Sequence, residues 1–111
     1  MNTVVADLIE RELAQPEIQA VSTSEDSLTV DLTDGRTIIT PLLWYPRLSY
    51  ASATERQNFQ ILRNVIYWPE LDEEVGVRGM LLGRMSGESA QSIQRWLTQH
   101  QTKLASNGDV G

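Results

Sequence analysis

The chain of 111 residues carries fifteen acidic and nine basic side chains, a formal net charge of −6, and 41% of its residues are hydrophobic. This length and composition fit one folded domain and exclude wholesale disorder. The absence of cysteine excludes disulfides, zinc–thiolate sites and thiol nucleophiles. No apolar run reaches the roughly 20 residues of a membrane helix, and the acidic start lacks the features of a signal peptide. We therefore expect a cytoplasmic protein with no membrane partner.

The charged residues indicate the kind of partner. The basic residues are spread singly along the chain, so the sequence offers no basic cluster for phosphate groups. This distribution argues against nucleic acid as a direct partner. The negative balance favours a protein partner, either a second copy of the chain or a small basic protein.

The N-terminal half is predicted to form a helix and a β-meander. Apolar residues at helical spacing predict a helix over residues 3–13. A strand over residues 17–23 precedes residues 28–32, which alternate between apolar and polar as a half-buried strand does. Asp34-Gly35 then predicts a tight hairpin turn into a third strand over residues 36–40.

The turn length fixes a predicted register for this hairpin. With a two-residue turn, Val30 lies opposite Ile39 and Leu32 lies opposite Thr37. Ile38 is then on the other face of the sheet, where a large aliphatic side chain needs a cover. We therefore interpret Ile38 as a partner contact.

The middle of the chain changes from strand to helix. Two prolines bracket the aromatic segment 41–46, which predicts a turn or short helical knuckle. Ser52 and Glu55 have the spacing of a capping box and predict a helix over residues 53–62, with Leu62 facing inward.

Six segments are predicted in the C-terminal part of the chain. These are a strand over 65–68, an acidic loop over 70–74, a short helix ending near Gly83, a linker over 84–88, a C-terminal helix over 89–106 and a loose tail over 107–111. The predicted fold class is α+β, in which a small antiparallel meander with an Asp-Gly hairpin packs with short helices. Residues 1–83 form the α+β domain in this interpretation, and the C-terminal helix is added to it.

Three short motifs carry a resemblance to a known family. They are Asp34-Gly35-Arg36, Pro41-Leu42 with Trp44, and Trp68-Pro69-x-Leu71-Asp72. Over about residues 26–83 the chain resembles the bacterial family called domain of unknown function 2442. The resemblance implies a compact α+β fold with a small antiparallel sheet and no established activity. Some members resemble one half of toxin–antitoxin-like pairs, and some carry an added helix-turn-helix. Here only one helix and a tail are predicted after Gly83, which is too little for that added unit and argues against a transcription-factor role.

Eight residues are predicted to bind a protein partner. Tyrosine and tryptophan on turns suit half-buried contacts, and a loop of acids suits a basic surface. Packing of the aromatic rings in the core alone is the alternative. The predicted partner-binding residues are Ile38, Trp44, Tyr45, Glu70, Asp72, Glu73, Glu74 and Trp96.

No catalytic, metal or cofactor site is predicted. The acidic segment 70–74 lacks the spacing and the glycine of a calcium loop. His100 follows glutamine and threonine residues on the last helix rather than a nucleophile, and we expect it to be exposed or at a rim. Segment 83–87 lacks the lysine of a phosphate-binding loop.

Three functions from different classes are compatible with these observations. The first is a non-enzymatic protein-interaction module, either a homodimer or the neutralising, antitoxin-like half of a two-protein unit. The second is a DNA-associated transcriptional regulator that uses the last helix. The third is a small enzyme that depends on carboxylates and Tyr67. The acidic balance and the missing catalytic constellation favour the first.

Overall fold

Two three-stranded antiparallel sheets combine with short helices in the computed structural model, which describes residues 16–108, with side chains through residue 101. The predicted α+β class is confirmed. The helix predicted over residues 3–13 and the last three residues of the predicted tail lie outside the described residues. Within the described part, no helix is long and apolar enough to cross a membrane.

Each sheet is a meander in which every strand pairs with its neighbour in sequence. The first sheet consists of β1 Ile18–Thr23, β2 Ser27–Leu32 and β3 Thr37–Pro41, followed by a 3-10 helix Leu42–Trp44, α1 Pro46–Tyr50 and α2 Ala53–Gln57. The second sheet consists of β4 Gln60–Leu62, β5 Val65–Trp68 and β6 Glu73–Gly76, followed by α3 Val77–Leu81 and α4 Ala90–Gly108. The predicted first strand, the helical knuckle between the prolines and the short helix before Gly83 are confirmed.

The β2–β3 turn contains three residues, 33–35, rather than the predicted two. The Gly35 N–H donates to the Leu32 carbonyl (3.1 Å), and the Leu32 N–H donates to the Arg36 carbonyl (2.8 Å). Gly35 adopts φ 93°, the left-handed conformation with which three-residue hairpin loops end. The Asp34 carboxylate accepts the Arg36 N–H (3.0 Å) and holds the loop closed.

The extra loop residue shifts the register by one position. Val30 pairs with Ile38 instead of Ile39, and Leu28 pairs with Thr40. Because paired residues share one face of a sheet, Ile38 lies on the core side, half-buried against the core. The predicted outward position of Ile38 is therefore wrong. Ile39 takes that position and is 65% exposed.

Helix α2 begins as predicted and ends early. The Ser52 hydroxyl accepts the Glu55 N–H (3.1 Å), and the Glu55 carboxylate accepts the Ser52 N–H (2.9 Å), which completes the predicted capping box. The helix ends at Gln57, so the prediction of a helix over residues 53–62 is wrong beyond this point.

The remainder of that predicted helix is the edge strand β4. A two-residue turn at Arg63 and Asn64 reverses the chain into β5. Arg63 adopts φ 60°, and the turn contains no glycine that would indicate it in the sequence. Leu62, predicted to face inward, is exposed on this edge. The Ile18 N–H donates to the Arg63 carbonyl (2.7 Å) and so ties the second sheet to the first.

A hydrophobic core lies between the sheets and the short helices. Trp68 is fully buried, and its indole N–H donates to the Arg56 carbonyl (3.0 Å). Arg56 is itself buried, and its guanidinium donates to the carbonyls of Leu48 (3.3 Å) and Ala51 (2.7 Å) at the C-terminal end of α1. A cation there satisfies free helix carbonyls. The other fully buried large side chains are Leu28, Leu32, Leu42, Leu48, Ile66, Leu71, Val30 and Val77.

Gly79 and Gly83 provide a matched pair of variants for the α3 region. A Cβ added at Gly79, inside α3, would meet only the Arg84 Cβ at 4.0 Å. Gly79→Ala should raise the free energy of unfolding by about 0.5–1 kcal/mol, because glycine is disfavoured inside helices. Gly83 holds φ 70°, and Gly83→Ala should lower the free energy of unfolding by about 1 kcal/mol. Urea denaturation measures both, and shifts of the same sign would contradict the expectation.

Candidate functional site

A cleft of about 260 Å³ lies between β6 and the irregular segment 84–87. We call it the Glu73 cleft. Acidic and apolar residues line it, and three glycines leave it open. Its lining residues are Tyr45, Glu73, Glu74, Val75, Gly76, Gly79, Met80, Arg84, Met85, Ser86 and Gly87.

Glu73 is a carboxylate on the inward side of the second sheet. It pairs with the fully buried Trp68 across the β5–β6 ladder, and paired residues share a face. Burial raises the pKa of Glu73, against the opposing effects of the Glu74 N–H and the Arg47 charge. Glu73 forms no ion pair within 4.0 Å with any described residue. The cleft therefore contains a partly desolvated acid that accepts the Glu74 N–H (3.0 Å) and forms no ion pair with the described residues.

Tyr45 packs in the core beside the same cleft and is only 5% exposed. Its hydroxyl is buried beside the hydroxyl of Thr40, its hydrogen-bonding neighbour. Burial raises the pKa of the Tyr45 phenol, the hydrogen bond with the Thr40 hydroxyl opposes this shift, and the charge of Glu73 adds to it. The Tyr45 hydroxyl is therefore enclosed in the core beside the cleft and is not exposed to a ligand.

A second groove lies on the other side of the β5–β6 turn, against α4. It has a volume of about 420 Å³ and is lined by Arg47, Asp72, Ser92, Arg95, Trp96 and Gln99. The β5–β6 turn, residues 69–72, thus separates two concave surfaces. Glu73 and Glu74 face one of them, and Asp72 faces the other.

Arg47 connects this turn to α4, and we call its contacts the Arg47 cluster. Its guanidinium donates to both carboxylate oxygens of Glu88, at 2.9 Å and 2.5 Å. It also donates to the carbonyls of Leu71 (3.1 Å) and Asp72 (3.3 Å). It lies 5.3 Å from the ring centroid of Trp96, within the range of a cation–π contact. The Arg47 hydrogen bonds lower the pKa of Glu88.

A second polar contact fastens α4 one turn further along. His100 Nε2 lies 2.5 Å from Glu55 Oε2, and each side chain is only 9% exposed. The His100 ring stacks on Trp96 with centroids 4.7 Å apart. The expectation of an exposed or rim His100 is therefore wrong, because α4 turns it onto α2. Burial opposes ionisation of Glu55, but the Ser52 amide and the His100 imidazole hold its pKa below the usual value.

The structure brings some of the predicted partner-binding residues together. Glu73, Glu74 and Tyr45 line the Glu73 cleft, while Asp72 and Trp96 line the second groove. Tyr45, predicted at the surface, is buried, because the 3-10 helix and α1 turn its ring into the core.

The other predicted residues lie apart from both concave surfaces. Ile38 and Trp44 are half-buried against the core. Glu70 is exposed in the β5–β6 turn, where its carboxylate accepts a hydrogen bond from the Asn58 side chain.

The residues that fasten α4 were not predicted. Arg47 and Glu88 are separated by 41 residues, and no local pattern connects them. The single histidine and the capping glutamate were each noted in the sequence, but their contact depends on the packing of α4. Within the described residues, no group of three or more histidine, cysteine or acidic side chains could hold a metal ion.

Two solved structures are similar in fold. A crystal structure of a protein of unknown function from Rhodospirillum rubrum ATCC 11170 aligns with a TM-score of 0.59 and 23% identity, covering 68% of this chain and 95% of that chain. The solution NMR structure of the uncharacterised protein CV0863 from Chromobacterium violaceum aligns with a TM-score of 0.58 and 19% identity, covering 88% of each chain. At these identities the likeness extends to the fold alone.

None of the curated proteins matches the chain significantly. A family model described as protein of unknown function (DUF2442) matches residues 18–86. The match contains both sheets and α3, and it ends before Glu88 and α4. Since it spans more than half of the chain, and since the three short motifs lie within it, the chain belongs to the DUF2442 family.

Proposed function

We propose that the protein is a non-enzymatic interaction module that binds a basic protein partner at the β5–β6 turn and the Glu73 cleft. The observation that carries the proposal is the inward carboxylate of Glu73, which is partly buried and has no ion pair among the described residues. A buried acid without a cation is unfavourable. A basic side chain from a partner would supply the missing charge.

The surroundings of Glu73 support a negative docking surface. Glu74 follows it on β6 and is exposed, and Glu70 and Asp72 are exposed in the adjacent turn. Arg47 lies nearby, but both of its terminal nitrogens and its Nε are engaged by Glu88 and by backbone carbonyls. Complementary charge speeds association and selects the partner.

A role without catalysis is consistent with the chemistry of the cleft. Its described lining residues contain two hydroxyl groups: that of Tyr45 is buried, and that of Ser86 accepts the Glu88 N–H (3.3 Å). The only histidine of the sequence, His100, contacts Glu55 and Trp96 instead. A nucleophile needs a base within hydrogen-bond reach. The partner in this proposal is a small basic protein, with which the chain forms a neutralising, antitoxin-like pair.

Reversing one exposed charge tests the proposal. Immobilised wild type is expected to capture a small basic protein from a lysate of the native host. Glu74→Lys should capture about tenfold less of the same protein, because it places a positive charge at the docking surface. Quantitative mass spectrometry of the bound fraction provides the measurement.

Glu25→Lys is the matched control. Glu25 is exposed in the β1–β2 loop, so this variant changes the net charge equally but outside the β5–β6 turn. It should capture as much partner as the wild type does. Equal losses in the two variants would show a general charge effect, and a wild-type monomer that captures nothing would refute the proposal.

A further inference from the structure

We propose that the Glu73 cleft binds one cationic side chain, an arginine guanidinium or a lysine ammonium, as the anchor residue of the partner. This inference rests on the proposed function, because it names the group that the docking surface recognises. Three features of the described residues lead to it: the volume of the cleft, the polar groups inside it and the charge balance around Arg47.

The cleft has room for a single side chain rather than for a folded element. Its volume of about 260 Å³ lies below the usual range for drug-sized ligands, roughly 300–1,000 Å³. Gly76, Gly79 and Gly87 contribute no side chains to it. An added Cβ at Gly87 would meet nothing within 4 Å. An extended side chain can therefore enter between β6 and segment 84–87.

The polar groups inside the cleft match a hydrogen-bond donor that carries a positive charge. Glu73 offers carboxylate oxygens at the wall of the cleft, and the Tyr45 hydroxyl behind it is enclosed beside Thr40. Val75 and Met80 supply apolar surface for the methylene groups of a long basic side chain. Guanidinium and ammonium groups are donors only, so the Glu73 carboxylate can accept hydrogen bonds from them.

The charge balance favours a cation over a neutral or anionic group. Three carboxylates, those of Asp72, Glu73 and Glu88, act on the single guanidinium of Arg47. Glu88 takes its closest contacts, at 2.9 Å and 2.5 Å, whereas Asp72 lies 3.9 Å away. The negative charge of Glu73 is therefore compensated by Arg47 only at long range. Arg84 also lines the cleft and forms no ion pair with the described residues, so its positive charge opposes the binding of a cation.

NMR titration with two isosteric probes tests the inference. N-acetyl-arginine amide carries the charge, and N-acetyl-citrulline amide has nearly the same shape without it. The arginine probe should shift the amide signals of Gly76, Gly79 and Gly87 and bind about tenfold more tightly than the citrulline probe. Glu73→Gln should abolish this preference. Arg84→Ala should increase the affinity for the arginine probe severalfold, because it removes a like charge.

A second measurement separates recognition of Glu73 from a general effect on the fold. Burial raises the pKa of the Glu73 carboxyl in the free protein, so a bound cation should lower that pKa. Affinity for the arginine probe should therefore rise as pH rises through the Glu73 titration, while affinity for the citrulline probe stays level. Glu25→Gln is the control variant and should leave both affinities unchanged.

The possible outcomes distinguish this inference from the proposed function. Equal affinity for the two probes in the wild type would overturn the inference, as would a preference that persists in Glu73→Gln. Capture of a basic protein that is lost in Glu74→Lys but retained in Glu73→Gln would keep the interaction module and reject the anchor. A probe preference that depends on Glu73, without any captured partner, would keep the cationic site and reject the docking function.

Discussion

Arg47→Ala should lower the free energy of unfolding by about 2–4 kcal/mol, because its ion pair with Glu88 is half-buried and lies between the exposed and the fully buried case. Arg47 and Glu88 are only 16% and 15% exposed. The guanidinium also satisfies the carbonyls of Leu71 and Asp72. Its loss leaves the half-buried Glu88 carboxylate with the Ser92 hydroxyl as its remaining side-chain donor and removes the side-chain donor of two carbonyls, so the cost exceeds that of a surface pair. Chemical denaturation measures the change, and amide hydrogen exchange in α4 shows whether the helix is released before the domain unfolds.

Arg63→Ala is the matched control for this prediction. Arg63 pairs with Glu17 at 3.3 Å, but these side chains are 86% and 53% exposed. Removing Arg63 should therefore change stability by less than about 1 kcal/mol. A double-mutant cycle of Arg47→Ala with Glu88→Ala isolates the pair. A coupling energy near zero would mean that Arg47 stabilises the turn through its carbonyl contacts alone.

Glu55→Ala should lower the free energy of unfolding by about 2–4 kcal/mol, because one side chain serves both the α2 capping box and the contact with His100. Oε1 accepts the Ser52 N–H at 2.9 Å, and Oε2 lies 2.5 Å from His100 Nε2. The alanine variant keeps the Ser52 hydroxyl cap, loses the carboxylate half of the capping box and leaves the His100 imidazole without its acid. Denaturation at neutral pH measures the loss, and Glu25→Ala, at an exposed site outside any helix, should have little effect.

The same carboxylate makes stability depend on pH in a defined direction. Burial works against the charge, but the Ser52 amide and His100 hold the pKa of Glu55 below 4.5 in the folded chain. The stability that the ionised Glu55 contributes is therefore complete at pH values above the pKa of Glu55 in the unfolded chain. It is lost as the pH falls through the lowered pKa of Glu55 in the folded chain. Glu88, with its pKa lowered by Arg47, acts in the same direction. Glu55→Gln should flatten the acid side of the stability profile, and an unchanged slope would contradict this assignment.

Local chemistry allowed much of the fold to be predicted. Alternation over residues 28–32 predicted β2, and Ser52 with Glu55 predicted the start of α2. The predicted register of the β2–β3 hairpin is wrong, because Asp34-Gly35 fits both two-residue and three-residue loops. The choice between these loops decides which of two adjacent isoleucines faces the core. The β4–β5 turn could not be predicted from the sequence, since the residue in the left-handed conformation is Arg63 rather than a glycine or asparagine.

The candidate site was predictable only in part. The run of acids predicted a negative surface, and Glu73 and Glu74 do line the cleft. Strand β6 and the inward position of Glu73 were not predicted, because a strand of two adjacent glutamates, a valine and a glycine shows no alternation of polar and apolar residues. Contacts between Arg47 and Glu88, and between Glu55 and His100, join residues more than 40 positions apart. Such contacts depend on how α4 packs, which no local pattern in the sequence specifies.

The position of Trp96 gives the molecule an optical signal for the attachment of its last helix. Its indole ring contacts the Arg47 guanidinium and stacks on the His100 imidazole, so its emission responds to these two groups. Trp68 is enclosed in the interior and responds only when the domain itself opens. Of the three tryptophans, Trp96 and Trp68 thus sense different events. Detachment of the C-terminal helix can be followed by fluorescence without an added label while the rest of the chain stays folded.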